Sequence, residues 1–201
     1  MIRNYILFIL LALLGVSGES AYAREISIQS PDGKLKVNIE LKDKVYYSIY
    51  SGNDLLLDHC SLTLTLGQEV LGQSPKLKGI KRGQIQESVK REIPLKNAVV
   101  ENHCNTLRMN MAGNYAIEFR VYDKGVAYRF LTQRKGEVEV MAEDFNIHFP
   151  GDYLAHLSQP SGFKTSYEYP YTHKKTKEYT SSDRMSYLPV LIETDHSYKI
   201  L

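Results

Sequence analysis

Apolar and polar residues alternate with a period of two over most of the chain. Glu25-Ile26-Ser27-Ile28-Gln29-Ser30 alternates and runs into Pro31-Asp32-Gly33, a turn signal. Leu35-Lys36-Val37-Asn38-Ile39-Glu40-Leu41 alternates again, and Lys42-Asp43-Lys44 turns it into Val45-Tyr46-Tyr47-Ser48-Ile49-Tyr50. Short alternating runs bounded by Gly, Asn and Asp predict half-buried antiparallel strands. The same signature covers Ser61–Thr65, Leu107–Met111, Tyr115–Tyr122, Val126–Leu131, Glu137–Val140 and Phe145–Phe149. Between them, Val70 to Gln86 is polar and less periodic, and reads as an excursion with short strands. No amphipathic helix of ordinary length is predicted after the first two dozen residues. The pattern predicts an all-β fold, an antiparallel β-sandwich.

After Pro150 the pattern changes. From Gly151 to Asp183 the chain is rich in Tyr, Ser, Lys and His, and reads as a long loop or loosely structured arm. Leu188-Pro189-Val190-Leu191-Ile192-Glu193-Thr194 reads as a strand, and Asp195-His196 turns it towards Ser197-Tyr198-Lys199-Ile200-Leu201. That second arm has barely begun where the sequence ends, so the sandwich is expected to be incomplete at its C-terminus.

The first residues carry a different signal. Arg3 precedes the apolar stretch Tyr5 to Val16, and Ala21-Tyr22-Ala23 has the form of a cleavage site. This predicts a secretory signal peptide over residues 1–23, a mature domain over 24–201, and an exported, periplasmic or secreted product. The apolar stretch is short of the ~20 residues that span a bilayer, so no membrane span is expected once the signal is removed. A formal charge of +2 over 201 residues offers no electrostatic case for nucleic acid. In an oxidising compartment Cys60 and Cys104 have two readings, a disulfide or two buried thiols.

Tyr122-Asp123-Lys124-Gly125-Val126-Ala127-Tyr128-Arg129-Phe130 is a hairpin by its turn chemistry. It also resembles the YD-x-G-x-AYR segment in the N-terminal domain of glycoside hydrolase family 97, secreted bacterial α-glucosidases and α-galactosidases. Ser30-Pro31-Asp32-Gly33-Lys34-Leu35 is similar to that family's opening strand and turn, and Val45-Tyr46-Tyr47-Ser48-Ile49 to its second hairpin. Tyr167-Glu168 with Tyr171, followed by Leu188-Pro189-Val190-Leu191, resembles the stretch before the catalytic domain. The resemblance covers the mature chain in order.

The resemblance implies a galactose-mutarotase-like β-supersandwich that packs on a catalytic (β/α)₈ barrel, here absent. The barrel carries the catalytic groups, so no catalytic residue is assigned, and the chain is expected to be inactive alone. The family holds calcium beside the sugar, with one glutamate from the N-terminal domain. Glu168 is the best positional match. A lone carboxylate does not hold calcium, which takes six to eight oxygens, so Glu168 is a candidate ligand only beside a barrel. Partners implied are that barrel and an α-linked oligosaccharide.

The aromatic residues of the arm, Tyr153, Phe163, Tyr167, Tyr169, Tyr171 and Tyr179, have two readings: a docking patch for the barrel, or sugar contact. Tyr167, Tyr169 and Tyr171 are the candidate substrate-binding residues. Read as sugar-binding, the arm makes the chain a stand-alone carbohydrate-binding sandwich, the alternative function. The histidines are scattered, with no H-x-x-x-H pair, and read as surface or core. No G-x-S-x-G elbow or phosphate-cradling glycine loop occurs.

Overall fold

A computed structural model describes residues 26–201, except Leu95, His196 and Ser197. The expected signal peptide lies outside the described residues, as does the centre of the last turn. Fourteen strands follow one another: β1 Ile26–Gln29, β2 Leu35–Leu41, β3 Val45–Ser51, β4 Asp54–Leu66, β5 Glu69–Leu71, β6 Leu77–Lys90 and β7 Val99–Met111. Then come β8 Tyr115–Tyr122, β9 Gly125–Thr132, β10 Val140–Asn146, β11 Leu154–Ser158, β12 Tyr171–Lys175, β13 Leu191–Glu193 and β14 Lys199–Ile200. One 3-10 turn, Thr176–Glu178, is the sole helical element among the described residues. The fold is all-β, as the alternation predicts.

Every strand pair is antiparallel. One sheet has the order β1-β2-β3-β4-β10, with β5 also on β4, and a second has the order β6-β7-β8-β9. Their facing sides make the main core. The first sheet contributes Val37, Ile39, Val45 and Leu62, and the second contributes Leu107, Met109, Ile117 and Phe119, all fully buried. Each such side chain stabilises by about 1.5–3 kcal/mol on leaving water. The alternation explains the sidedness. In β8, Ile117, Phe119 and Val121 point inward, while Glu118 and Arg120 lie on the other face. There Glu118 accepts hydrogen bonds from Arg120 and Arg129, both at 3.0 Å.

Three expectations need correction. Val70 to Gln86 holds the end of the short strand β5 and then, instead of further short strands, most of the long strand β6, which continues to Lys90. It is an edge strand with mostly exposed side chains, so no buried face imposes a period. In place of the two strands expected over Glu137–Val140 and Phe145–Phe149 there is one, β10, which spans the gap between them and leaves Glu137–Glu139 and Ile147–Phe149 outside it, with a register shift between Val140 and Ala142. The expected loop from Gly151 to Asp183 contains β11 and β12, which join β13 and β14 in a third sheet of order β12-β11-β13-β14. Only two inward residues of β11, Ala155 and Leu157, mark it as a strand, and β12 buries none.

The third sheet has its own small core of Tyr153, Ala155, Leu157 and Ile192. Phe149 and Ile200 pack against both this core and the main one. A hydrogen bond from the Tyr198 hydroxyl to Asp54 Oδ2 at 3.0 Å adds a polar tie to β4. Gly151 begins the approach to this sheet. A Cβ there would lie 2.5 Å from the Tyr153 ring, so the close packing needs glycine. The expected terminal hairpin is present, with Ile192 opposite Ile200 and Glu193 opposite Lys199.

Candidate functional site

The strands β11 and β12 form a hairpin whose connection, residues 159–170, holds Tyr167, Glu168 and Tyr169. Five register pairs close it, from Leu154 opposite Lys175 to Ser158 opposite Tyr171. Past β12, the chain is pinned by Asp152. Its carboxylate accepts from the Lys177 backbone N–H at 3.0 Å and from Thr176 Oγ1 at 3.3 Å. Farther on, Lys174 Nζ meets Asp183 Oδ1 at 2.7 Å, and Asp183 Oδ2 accepts from the Thr180 N–H at 2.7 Å. These contacts hold the Asp183 carboxyl below the usual carboxylate range, Lys174 contributing most.

Within the connection, Tyr167 adopts a left-handed backbone with φ of 62°. Its hydroxyl donates to the Phe163 carbonyl, and its ring stands edge-on to Tyr187 with centroids 4.4 Å apart. The Tyr187 backbone N–H is bonded in turn to the Ser158 carbonyl at 2.9 Å. The Tyr167 ring is thus held by Phe163 from within the connection and by Tyr187 from beyond β12. Tyr169 is half-buried, and its hydroxyl lies 2.8 Å from Ser161 Oγ. That contact and Thr165 draw its pKa below the ordinary phenol value, Ser161 contributing most. Tyr171 stands on β12, exposed, on the sheet face opposite the small core. No ring pair joins Tyr167, Tyr169 and Tyr171 among the described residues.

Glu168 is exposed, and no hydrogen bond or ion pair engages its carboxylate among the described residues. No group of three or more His, Cys, Asp or Glu side chains able to hold a metal occurs among them either. A carboxylate with no partner keeps its lone pairs available, as a single donated ligand requires.

The structure also unites residues that spacing does not. His156 and His173 are opposite one another in the β11–β12 register. Their Nδ1 atoms are 2.7 Å apart, with the rings edge-on at 75°. On the other side of His156, Nε2 lies 3.7 Å from Glu193 Oε1, which also pairs with Lys199 Nζ at 3.2 Å. The two histidines are 17 positions apart, so only the hairpin register reveals the pair.

The two cysteines are both buried free thiols. Cys60 Sγ accepts the His148 N–H at 3.2 Å, and burial pushes its thiol pKa up.

Residues 28–201 match the family described as glycosyl-hydrolase 97 N-terminal. The chain belongs to that family. A retaining alpha-galactosidase of Bacteroides thetaiotaomicron is 28% identical over 203 residues, covering 96% of this chain and 30% of the relative. Two solved structures share the fold. A glycoside hydrolase family 97 enzyme from Pseudoalteromonas sp. strain K8, in complex with acarbose, aligns with a TM-score of 0.73 at 19% identity. It matches 85% of this chain and 27% of its own. A beta-arabinopyranosidase gives a TM-score of 0.73 at 23% identity, over 84% of this chain and 29% of its own. This family 97 N-terminal chain therefore spans under a third of the length of these relatives.

Proposed function

We propose that this chain is the non-catalytic N-terminal domain of an exported, calcium-dependent family 97 α-glycosidase acting on α-linked galactosides or glucosides. Its task is to support and complete the active site of a (β/α)₈ barrel, and it is inactive alone. The observation that carries this reading is the family match over residues 28–201, together with the 30% share of the alpha-galactosidase that the chain covers. The geometry supports it. Glu168 is presented, unengaged, on a loop fastened at both ends, as a ligand for calcium completed by other oxygens would be. The exposed apolar side chains of Phe163 at 75% and Leu188 at 87% suit a surface that a barrel covers.

The test is hydrolysis of p-nitrophenyl α-galactoside and α-glucoside, by the chain alone and by the chain fused ahead of the barrel of the Bacteroides relative. No turnover is expected alone. Turnover that a chelator abolishes, and that Glu168→Gln weakens, is expected of the fusion. Turnover by the chain alone overturns the proposal, and a fusion indifferent to Glu168→Gln removes the residue from it.

The exposure of Tyr167 and Tyr171, at 49% and 57%, favours the second reading, a stand-alone carbohydrate-binding sandwich. Aromatic faces pack on sugar rings, and Tyr171 is presented on an open sheet face. Titration calorimetry with maltooligosaccharides and melibiose decides it. Absence of heat sinks this reading and leaves the first untouched.

A further inference from the structure

We infer that His156 and His173 form a proton-sensitive latch on the β11–β12 hairpin, so that acidification loosens the connection carrying Tyr167, Glu168 and Tyr169. The pair is the middle rung of the five-pair register that closes this connection. An Nδ1···Nδ1 approach of 2.7 Å is a hydrogen bond only if one nitrogen carries a proton and the other offers a lone pair. One proton between the two nitrogens satisfies that condition. When both rings are cationic, neither Nδ1 has a lone pair, and two positive charges face each other in place of a bond. Histidine is the side chain whose ordinary charge change falls between about pH 5 and 8, so that is the interval over which the latch is tested.

The surroundings favour a single charge over two. From β13, Glu193 faces His156 Nε2 at 3.7 Å. That nitrogen is buried and has no hydrogen-bond partner, so the nearby carboxylate supplies a charge partner for one imidazolium. From β14, Lys199 competes for the same carboxylate at 3.2 Å. From β12, Lys175 shares the sheet face of His173, but its ammonium bonds the Asp152 carbonyl at 3.2 Å. Lys174, on the opposite face, is paired with Asp183. His173 has no acidic partner of its own among these groups, so a second positive charge on the pair meets no compensation. The far side of β11 is the small apolar core, which contributes no charge.

The first measurement is the imidazole nitrogen spectrum of the whole chain. At pH 7.5, one Nδ1 of the pair is expected to be protonated and the other bare, and at pH 5 both are protonated. Two Nε2–H tautomers at pH 7.5 would leave lone pairs facing each other and overturn the inference. The second is amide hydrogen exchange, corrected for intrinsic rate, at the same two pH values. Amides of β11 and β12 are expected to lose protection about tenfold at pH 5 relative to those of β7 and β8, the weight of one hydrogen bond. In His173→Gln, whose amide donates or accepts at any pH, that differential loss is expected to vanish. Equal protection ratios at both pH values, or the same loss in the variant, overturn it.

Discussion

The backbone N–H of Asp32 donates to the carboxylate of Asp123 at 2.9 Å. This bond joins the β1–β2 turn to the β8–β9 turn across 91 positions of sequence, and so ties the rims of the two main sheets. Both turns belong to segments that carry the family resemblance. The Asp123 side chain serves the opposite sheet rather than its own hairpin, which gives that aspartate a role a local turn does not require.

Asp32 supplies the first prediction. Its own carboxylate accepts from the Ser30 hydroxyl at 2.7 Å and from the Lys34 N–H at 3.0 Å. Those bonds, Ser30 first, bring its pKa down to about 2. A folded pKa below the unfolded one means that the stabilisation is present above the unfolded value, about 3.9, and is lost as the pH falls through the folded value. Urea unfolding from pH 6 to pH 2 is expected to show a constant advantage of the native chain over Asp32→Asn above about pH 5. That advantage shrinks between pH 4 and pH 2. A difference independent of pH would refute the assignment.

The second prediction concerns Phe119. It is fully buried and sits between Tyr47 and Tyr128, with ring centroids 5.9 and 6.2 Å away. Phe119→Ala leaves a cavity between the two main sheets that these large rings fill poorly. A loss of about 3–5 kcal/mol in denaturant unfolding is expected. A loss under about 1 kcal/mol would mean that the sheets collapse onto the gap.

Phe119 is also where sequence reading succeeds, because β8 alternates so regularly that its inward residues can be named in advance. The same holds for Val37 and Ile39 in β2. The signal fades where strands lose a buried face. β6 and β12 are edge strands with exposed side chains, and nothing in their hydrophobic pattern marks them. The site follows the same division. Tyr167 and Glu168 are named as candidates by resemblance, since they are neighbours in sequence. The edge contact of Tyr167 with Tyr187 and the pairing of His156 with His173 depend on the register and folding-back of the arm, which spacing does not encode.

The third prediction resolves the two readings of the cysteines. Cys60 and Cys104 are separate buried thiols. Burial raises the Cys60 pKa and so lowers its thiolate content, and the thiolate is the reactive form. The native chain is expected to resist iodoacetamide at Cys60. Denatured without reductant, it is expected to take two alkyl groups by intact mass. An unmodified denatured chain would instead reveal a disulfide.

The fourth prediction follows from β10. It bonds β4 on one side and ends the sheet order on the other. Val140 is 60% exposed and Met141 58% exposed, with Phe145 and Ile147 also open to solvent. A strand with an unpaired hydrogen-bonding edge is a template for pairing with another chain, and exposed apolar side chains such as these promote association. The isolated chain is therefore expected to self-associate with rising concentration, measured by light scattering. Val140→Lys places a charge on that edge at an exposed position, where substitutions change stability by only about 0.5 kcal/mol. It is expected to shift the chain towards monomer with unfolding nearly unchanged. A native chain that stays monomeric at all concentrations would show that this edge is shielded. A Val140→Lys variant that associates as strongly as the native chain would move the contact elsewhere, with the exposed arm around Phe163 and Leu188 as the next surface to charge.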